Sequence, residues 1–249
     1  MIKWKCKHTT TKSAKKCLDI GHRDCLEEMC ERNSIVDIEK FSINFNKHNV
    51  DNRYNNCSVD ILAYLCELGD LETVKILIEK YKYNQNRDNQ HLRGGEYLLS
   101  SVCYGKNFSL FLYVYNNVLK DVNPDYLTWP CIYGNLDILQ YILNDLYKSN
   151  SFTQKESKIQ DKIQDKLENG IFHAITRNHI NVIKFLFNNY DIEIEERNLK
   201  CYAKCANYSV WKFLLEKKKL TITNEILNFA RKYNNDSNVY VLMSNYCIV

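Results

Sequence analysis

Four residue pairs, each spaced four positions apart, are the first candidates for recognition: Tyr64 with Leu68, Ser100 with Tyr104, Trp129 with Tyr133, and His173 with Arg177. A spacing of four places both members on one side of a helix. Tyr, Trp and Arg are the types that most often dominate binding energy at protein interfaces. The same large rings also fill the space between packed helices. Both readings, binding surface and packing, stand at this level.

Thiols and imidazoles form a second group. Cys17, His22, Cys25 and Cys30 cluster in sequence, and Cys201 and Cys205 stand about one helical turn apart. A structural zinc ion needs four converging ligands, usually in two tightly spaced pairs. Cys25 and Cys30 instead fall on the apolar stripe of a helical pattern, with His22 in its turn. The pattern accounts for them as buried reduced thiols, so neither a metal nor a cofactor is expected. The basic run Lys217 to Lys219, with Lys212 nearby, could touch nucleic acid or serve as a nuclear address. It also suits a solvated helix end, where cations favour the helix dipole.

No catalytic constellation accompanies these residues. The sequence has no glycine-rich phosphate loop, nucleophile elbow or paired-histidine zinc helix, and no catalytic residue is assigned. A net charge of +4 is too small to point to nucleic acid by itself. A helical nucleic-acid-associated protein using that modest basic excess is the alternative reading. Hydrophobic residues at 45% with 26% charged residues exclude global disorder. Only 7 glycines and 2 prolines in 249 residues argue for helices over a turn-rich β-sandwich. The sequence MIKWKCKHTTTK has charge but lacks the apolar run of a secretory signal, and nothing later reaches the length of a membrane span. A cytoplasmic or nuclear setting, with no membrane contact, is therefore expected. Eleven cysteines are then reduced thiols, since an odd number cannot pair completely.

The elements that would position these residues recur along the chain. Ala14 to Cys30 has two helical segments around Gly21-His22. Ile61 to Ile78 repeats the plan around Gly69-Asp70, and Leu98 to Val114 does so around Gly105. In CIYGNLDILQYIL, Cys131 to Leu143, the turn is Gly134-Asn135; in Ile171 to Phe187 it is Asn178-His179. Asn tolerates the left-handed backbone that ends a helix better than any residue but Gly. Leu199 to Leu215 has lost the glycine, and Ile226 to Met243 closes the series as a weak copy or a cap. Polar segments separate the copies unevenly: Asp37 to Asn56, Tyr81 to Arg93 and Tyr147 to Asn169. Within the last, KIQDKIQDKLEN spaces Ile159, Ile163 and Leu167 four apart. It reads either as a solvated helix lengthening one unit or as a charged loop.

These residues carry a resemblance. CLDIGHRDCLEEMC, YLCELGDLETVKILI, CIYGNLDILQYIL and AITRNHINVIKFLF resemble ankyrin repeats, in the divergent form found in proteins of large DNA viruses and amoebae. The family's Thr-Pro-Leu-His opening is absent from every copy, and Pro130 falls inside a first helix, where it should kink or shorten that helix. The small residues expected in first helices survive at Ser101, Ala174 and Ala203. The resemblance implies an all-α, irregular solenoid of about six to seven helical-pair repeats. It would be a single domain over 1–249 with an insertion near 147–169. It also implies that Tyr64, Tyr104, Trp129, Tyr133, His173 and Arg177 line a concave groove that binds another protein, the chain itself being a monomer and not an enzyme.

Each helical pair has one apolar face that it cannot bury alone, so neighbours must stack. Leu77, Ile78, Leu110, Val114, Ile142, Leu143, Leu186, Phe187, Leu214 and Leu215 should form the shared seam. Leu143→Ala should therefore lower stability by about 2 to 5 kcal/mol, the cost of emptying a buried leucine site. A thermal melt followed by circular dichroism reads that loss, and an unchanged melt would remove Leu143 from the core.

Overall fold

The structure is a computed structural model that describes residues 61–79, 94–119, 123–150, 156–217 and 220–247. The unit expected at Ala14 to Cys30, and the polar segments expected at Asp37 to Asn56 and Tyr81 to Arg93, lie outside the described residues. By compactness the chain divides into two units, Met1–Lys120 and Asp121–Val249. The described residues are helical, with a lone bridge between Ile222 and Cys247 and no β-strand.

In the first unit, α1 (Ile61–Leu68) and α2 (Leu71–Glu79) form one pair, and α3 (Gly94–Gly105) and α4 (Phe108–Val114) form the next. A wider π turn, Tyr115–Leu119, continues α4. Helix α1 packs on α3, and α2 packs on α4. Each reversal is made by the same local chemistry. Gly69 takes a left-handed φ of 73°, and Asp70 then caps α2 by accepting from the Thr73 backbone N–H at 3.1 Å. In the second pair, Lys106 at φ 55° makes the turn and Asn107 caps α4 through Leu110 N–H at 3.1 Å. The turn expected at Gly105 is therefore one residue later. Gly105 serves a different purpose, since a Cβ there would collide with the Cys66 carbonyl where α3 crosses α1.

Among the described residues, the second unit holds four pairs. They are α5 (Thr128–Tyr133) with α6 (Leu136–Asn150), α7 (Glu156–Thr176) with α8 (Ile180–Asn189), α9 (Leu199–Cys205) with α10 (Tyr208–Lys217), and α11 (Asn224–Tyr233) with α12 (Ser237–Ser244). First helices pack side by side in the order α5, α7, α9, α11. Among the second helices, α6 packs on α8 and α10 on α12. The weak copy expected at Ile226 to Met243 is thus a regular helical pair.

Helix α5 is short, as Pro130 led one to expect, and the reason is local. Pro130 lies in its first turn, where backbone N–H groups have no helical partner in any case, and its ring opposes extension of the α-helix further back. The chain before it, Pro124–Leu127, is accordingly wound as a tighter 3₁₀ turn. KIQDKIQDKLEN is helical and belongs to α7, so the loop reading is wrong. It is not solvated all round either, because Ile163 and Leu167 are buried against the unit's core. Lys166 adds an ion pair to Asp125 at 2.9 Å, between α7 and the 3₁₀ turn.

The expected seam is buried at Leu110, Val114, Ile142, Leu143, Leu186, Phe187, Leu214 and Leu215. Ile78 is half-buried, and the side chain of Leu77 lies outside the described residues. Ser101, Ala174 and Ala203 are buried where first helices approach one another. Trp211 is fully enclosed and its indole N–H donates to the Tyr202 carbonyl at 3.2 Å.

Polar links between neighbouring turns complete the stacking. Asn107 Nδ2 donates to the Gly69 carbonyl at 2.9 Å, and His179 Nε2 bonds the Ile132 carbonyl at 3.0 Å. Asn178, itself left-handed at φ 64°, donates to the Cys205 carbonyl at 3.0 Å and accepts from Asn207 N–H at 2.6 Å. Asn234 Nδ2 donates to the carbonyls of Ala203 and Ala206 at 2.8 and 2.9 Å. A side chain from one turn thus satisfies backbone of the turn before or after it.

Gly134 is doubly constrained. Its φ is 76°, and a Cβ there would stand 2.5 Å from His179 Nδ1, the ring that bridges to Ile132. Gly134→Ala should cost at least the roughly 1–2 kcal/mol of a left-handed L-residue, with displacement of the imidazole added. Denaturant unfolding of the variant measures it; a midpoint equal to wild type would show that neither constraint acts.

Candidate functional site

The helical turn that precedes each reversal presents two side chains four apart. In the second unit these are Trp129 and Tyr133 on α5, His173 and Arg177 at the end of α7, Cys201 and Cys205 on α9, and Phe229 and Tyr233 on α11. None of the eight is buried. They hold the same register because each second member directly precedes its turn residue: Gly134, Asn178, Ala206 and Asn234. Inward neighbours such as Cys131, Ala174, Ala203 and Ala230 carry the packing instead.

The members touch within and between helices. The Arg177 guanidinium lies 5.9 Å from the centroid of the Tyr133 ring, linking α7 to α5. Phe229 and Tyr233 pack at 4.5 Å between ring centroids. His173 meets Phe172 edge-on at 5.4 Å, and Phe172 in turn lies 5.8 Å from Tyr202. Partial burial, helped by the Arg177 charge, holds the His173 imidazole below its ordinary value of 6.5. The neutral ring is therefore favoured, and it can donate and accept at once.

Sequence reasoning placed Trp129, Tyr133, His173 and Arg177 on one face, and the structure brings Tyr133 and Arg177 into contact. In the first unit Tyr104 is 58% exposed and Leu68 is 55% exposed, while Ser100 is half-buried. The side chain of Tyr64 lies outside the described residues. Trp129, Tyr133 and His173 are half-buried, and Arg177 is exposed. Cys201 with Cys205 and Phe229 with Tyr233 were missed as members of the set. The available signal was their position just before the turn, obscured because those turns lack glycine.

Among the described thiols, Cys66, Cys103 and Cys131 are buried, and Cys201, Cys205 and Cys247 are half-exposed. Burial pushes the Cys131 thiol up to about 12, far from reactivity. Burial also raises Cys201, with the adjoining Cys205 thiol adding to it and Lys204 opposing. Cys17, His22, Cys25 and Cys30 lie outside the described residues, as do Lys218 and Lys219.

An open recess of about 490 Å³ lies between α7 and the segment that leads into α9. Asp165, Glu168, Glu193 and Glu195 line it, with Phe172 and Tyr202 supplying aromatic wall. Arg197 is forked onto Glu195 through Nε at 2.6 Å and Nη2 at 2.7 Å. That hydrogen bonding keeps the Glu195 carboxyl below its ordinary value. The remaining carboxylates give the recess a negative field on a chain of net positive charge, which favours cationic groups. These residues lie on two elements, so no local motif announced them.

No protein-family model, curated protein or solved structure matches the chain. Among the described residues, no helix is long and apolar enough to cross a membrane.

His173 gives the face a pH signature. A histidine lowered in the folded state binds its proton more readily when unfolded, so stability is greatest above about 6.5 and declines as pH falls through that value. His173→Gln should flatten the decline in melting temperature between about pH 7 and pH 5 relative to wild type. Parallel melts across that range test it, and identical slopes would refute the perturbed imidazole.

Proposed function

We propose that this chain is a non-enzymatic protein-binding module built of divergent ankyrin-like repeats. Its recognition face is the row of first-helix residues Trp129, Tyr133, His173 and Arg177. One observation carries the reading: these large aromatic and cationic side chains lie in one register on packed helices, yet none is buried. Trp129, Tyr133 and His173 keep part of their ring surface in water, and a partner that covers that surface gains the hydrophobic free energy of its burial. The rings are also pre-positioned. Arg177 lies over Tyr133, and both helices are fixed by side-chain hydrogen bonds at their turns, so little freedom is lost on association.

The stacked helical pairs and their left-handed Gly and Asn turns support the ankyrin-like reading of the array. Tyr104, exposed on the first unit, belongs to the same class of position and is included as a recognition residue of that unit. The partner is another protein, bound by a monomer.

Affinity purification with quantitative mass spectrometry, comparing wild type with Trp129→Ala/Tyr133→Ala, tests the proposal. Hot-spot truncations cost about 2 kcal/mol or more, so recovery of the true partner should fall by roughly thirtyfold. The variant's circular-dichroism melt must remain a single cooperative transition, which shows that the half-buried Trp129 and Tyr133 are not needed for folding. A folded variant with an unchanged partner list would discard the aromatic face.

A further inference from the structure

We propose that Cys201 and Cys205 form a two-coordinate site for a soft monovalent metal ion of the copper(I) class. Both thiols sit on one side of α9, four residues apart and half-exposed. The helix that carries them is held from both sides. Asn178 bonds the Cys205 carbonyl at 3.0 Å, and Asn234 bonds the Ala203 and Ala206 carbonyls. The pair is thus presented by a rigid support and open to solvent.

The number of ligands selects the ion. Among the described residues, no group of three or more His, Cys, Asp or Glu side chains could hold a metal, so no third described donor joins the pair to complete the tetrahedral set that zinc requires. Two sulfur donors alone suit a soft ion that accepts low coordination, and thiolates select copper(I) over harder cations. Spacing argues against a direct disulfide. Side chains four apart on a helix have Cβ atoms about 5–6 Å apart, whereas a disulfide needs roughly 3.5–4.5 Å. An ion between the sulfurs spans that gap without unwinding α9.

Binding is a proton exchange with no change of oxidation state. Two thiols and one copper(I) ion give a dithiolate complex of charge −1 and release two protons to solvent. Lys204, exposed between the two cysteines in sequence, offsets that charge. Other described thiols compete poorly: Cys66, Cys103 and Cys131 are buried, and the Cys247 thiol donates to Asn224 Oδ1 at 3.5 Å.

The test is a copper(I) titration of the full, reduced chain under anaerobic conditions against a chromogenic copper(I) chelator. Wild type should hold one equivalent more than Cys201→Ser/Cys205→Ser, and each single variant should lose that same equivalent. Cys247→Ser should keep it. Affinity for the equivalent should fall about a hundredfold per pH unit on acidification, the slope of two released protons. Matching metal-free melts of variants and wild type would confirm that the substitutions leave the fold intact. A double variant with wild-type stoichiometry, a single variant that retains the equivalent, or a one-proton slope would each overturn the site.

Discussion

Everything in this molecule depends on one constraint: each helical pair exposes more apolar surface than it can cover by itself. Helix α10 buries Val210, Trp211, Leu214 and Leu215, and α6 buries Ile138, Leu139, Ile142, Leu143 and Leu146. Such stripes are too broad for a single partner helix within the same pair. They are covered because first helices pack on first helices and second helices on second helices within each unit. Helix propensity makes the segments, but lateral burial keeps them.

The reversals make that lateral packing possible. A left-handed residue followed by a capping Asp or Asn, as at Gly69-Asp70 and Lys106-Asn107, folds the chain back in the fewest residues. The polar side chains then reach to a neighbouring turn, so the groups that end one helix also align it with the next. Lys106 illustrates how tolerant this is. A lysine takes the left-handed position at some conformational cost, because Gly105 is needed one residue earlier to let α3 approach α1.

The candidate face follows from the same geometry. Residues just before the turn cannot point into the stack, because the inward positions of the short first helices are taken by Cys131, Ala174, Ala203 and Ala230. What stands there is free to vary in chemistry: aromatic and cationic on α5 and α7, thiol on α9, aromatic on α11. The carboxylate-lined recess arises differently. It needs the end of one connection, Glu193 to Asn198, to lie against α7, and so depends on how long that connection is and where it is anchored.

Local chemistry written in the chain determined much of this protein. The helical periodicity, the Gly-Asp, Gly-Asn and Asn-His reversals and the seam from Leu110 to Leu215 were legible, because each depends on residues within one or two turns of one another. The unbroken run of α7 and the early start of α5's tight turn were only half legible. Charged residues in KIQDKIQDKLEN suit helix and loop equally until burial of Ile163 and Leu167 decides between them. Tertiary structure alone decided how far each ring is covered, that Arg177 meets Tyr133, that Cys201 and Cys205 are half-exposed, and that carboxylates from α7 and from the connection after α8 share one recess. The physical reason is common to all four: exposure and field are properties of neighbours brought together by stacking, and no spacing within a single helix specifies which neighbour arrives.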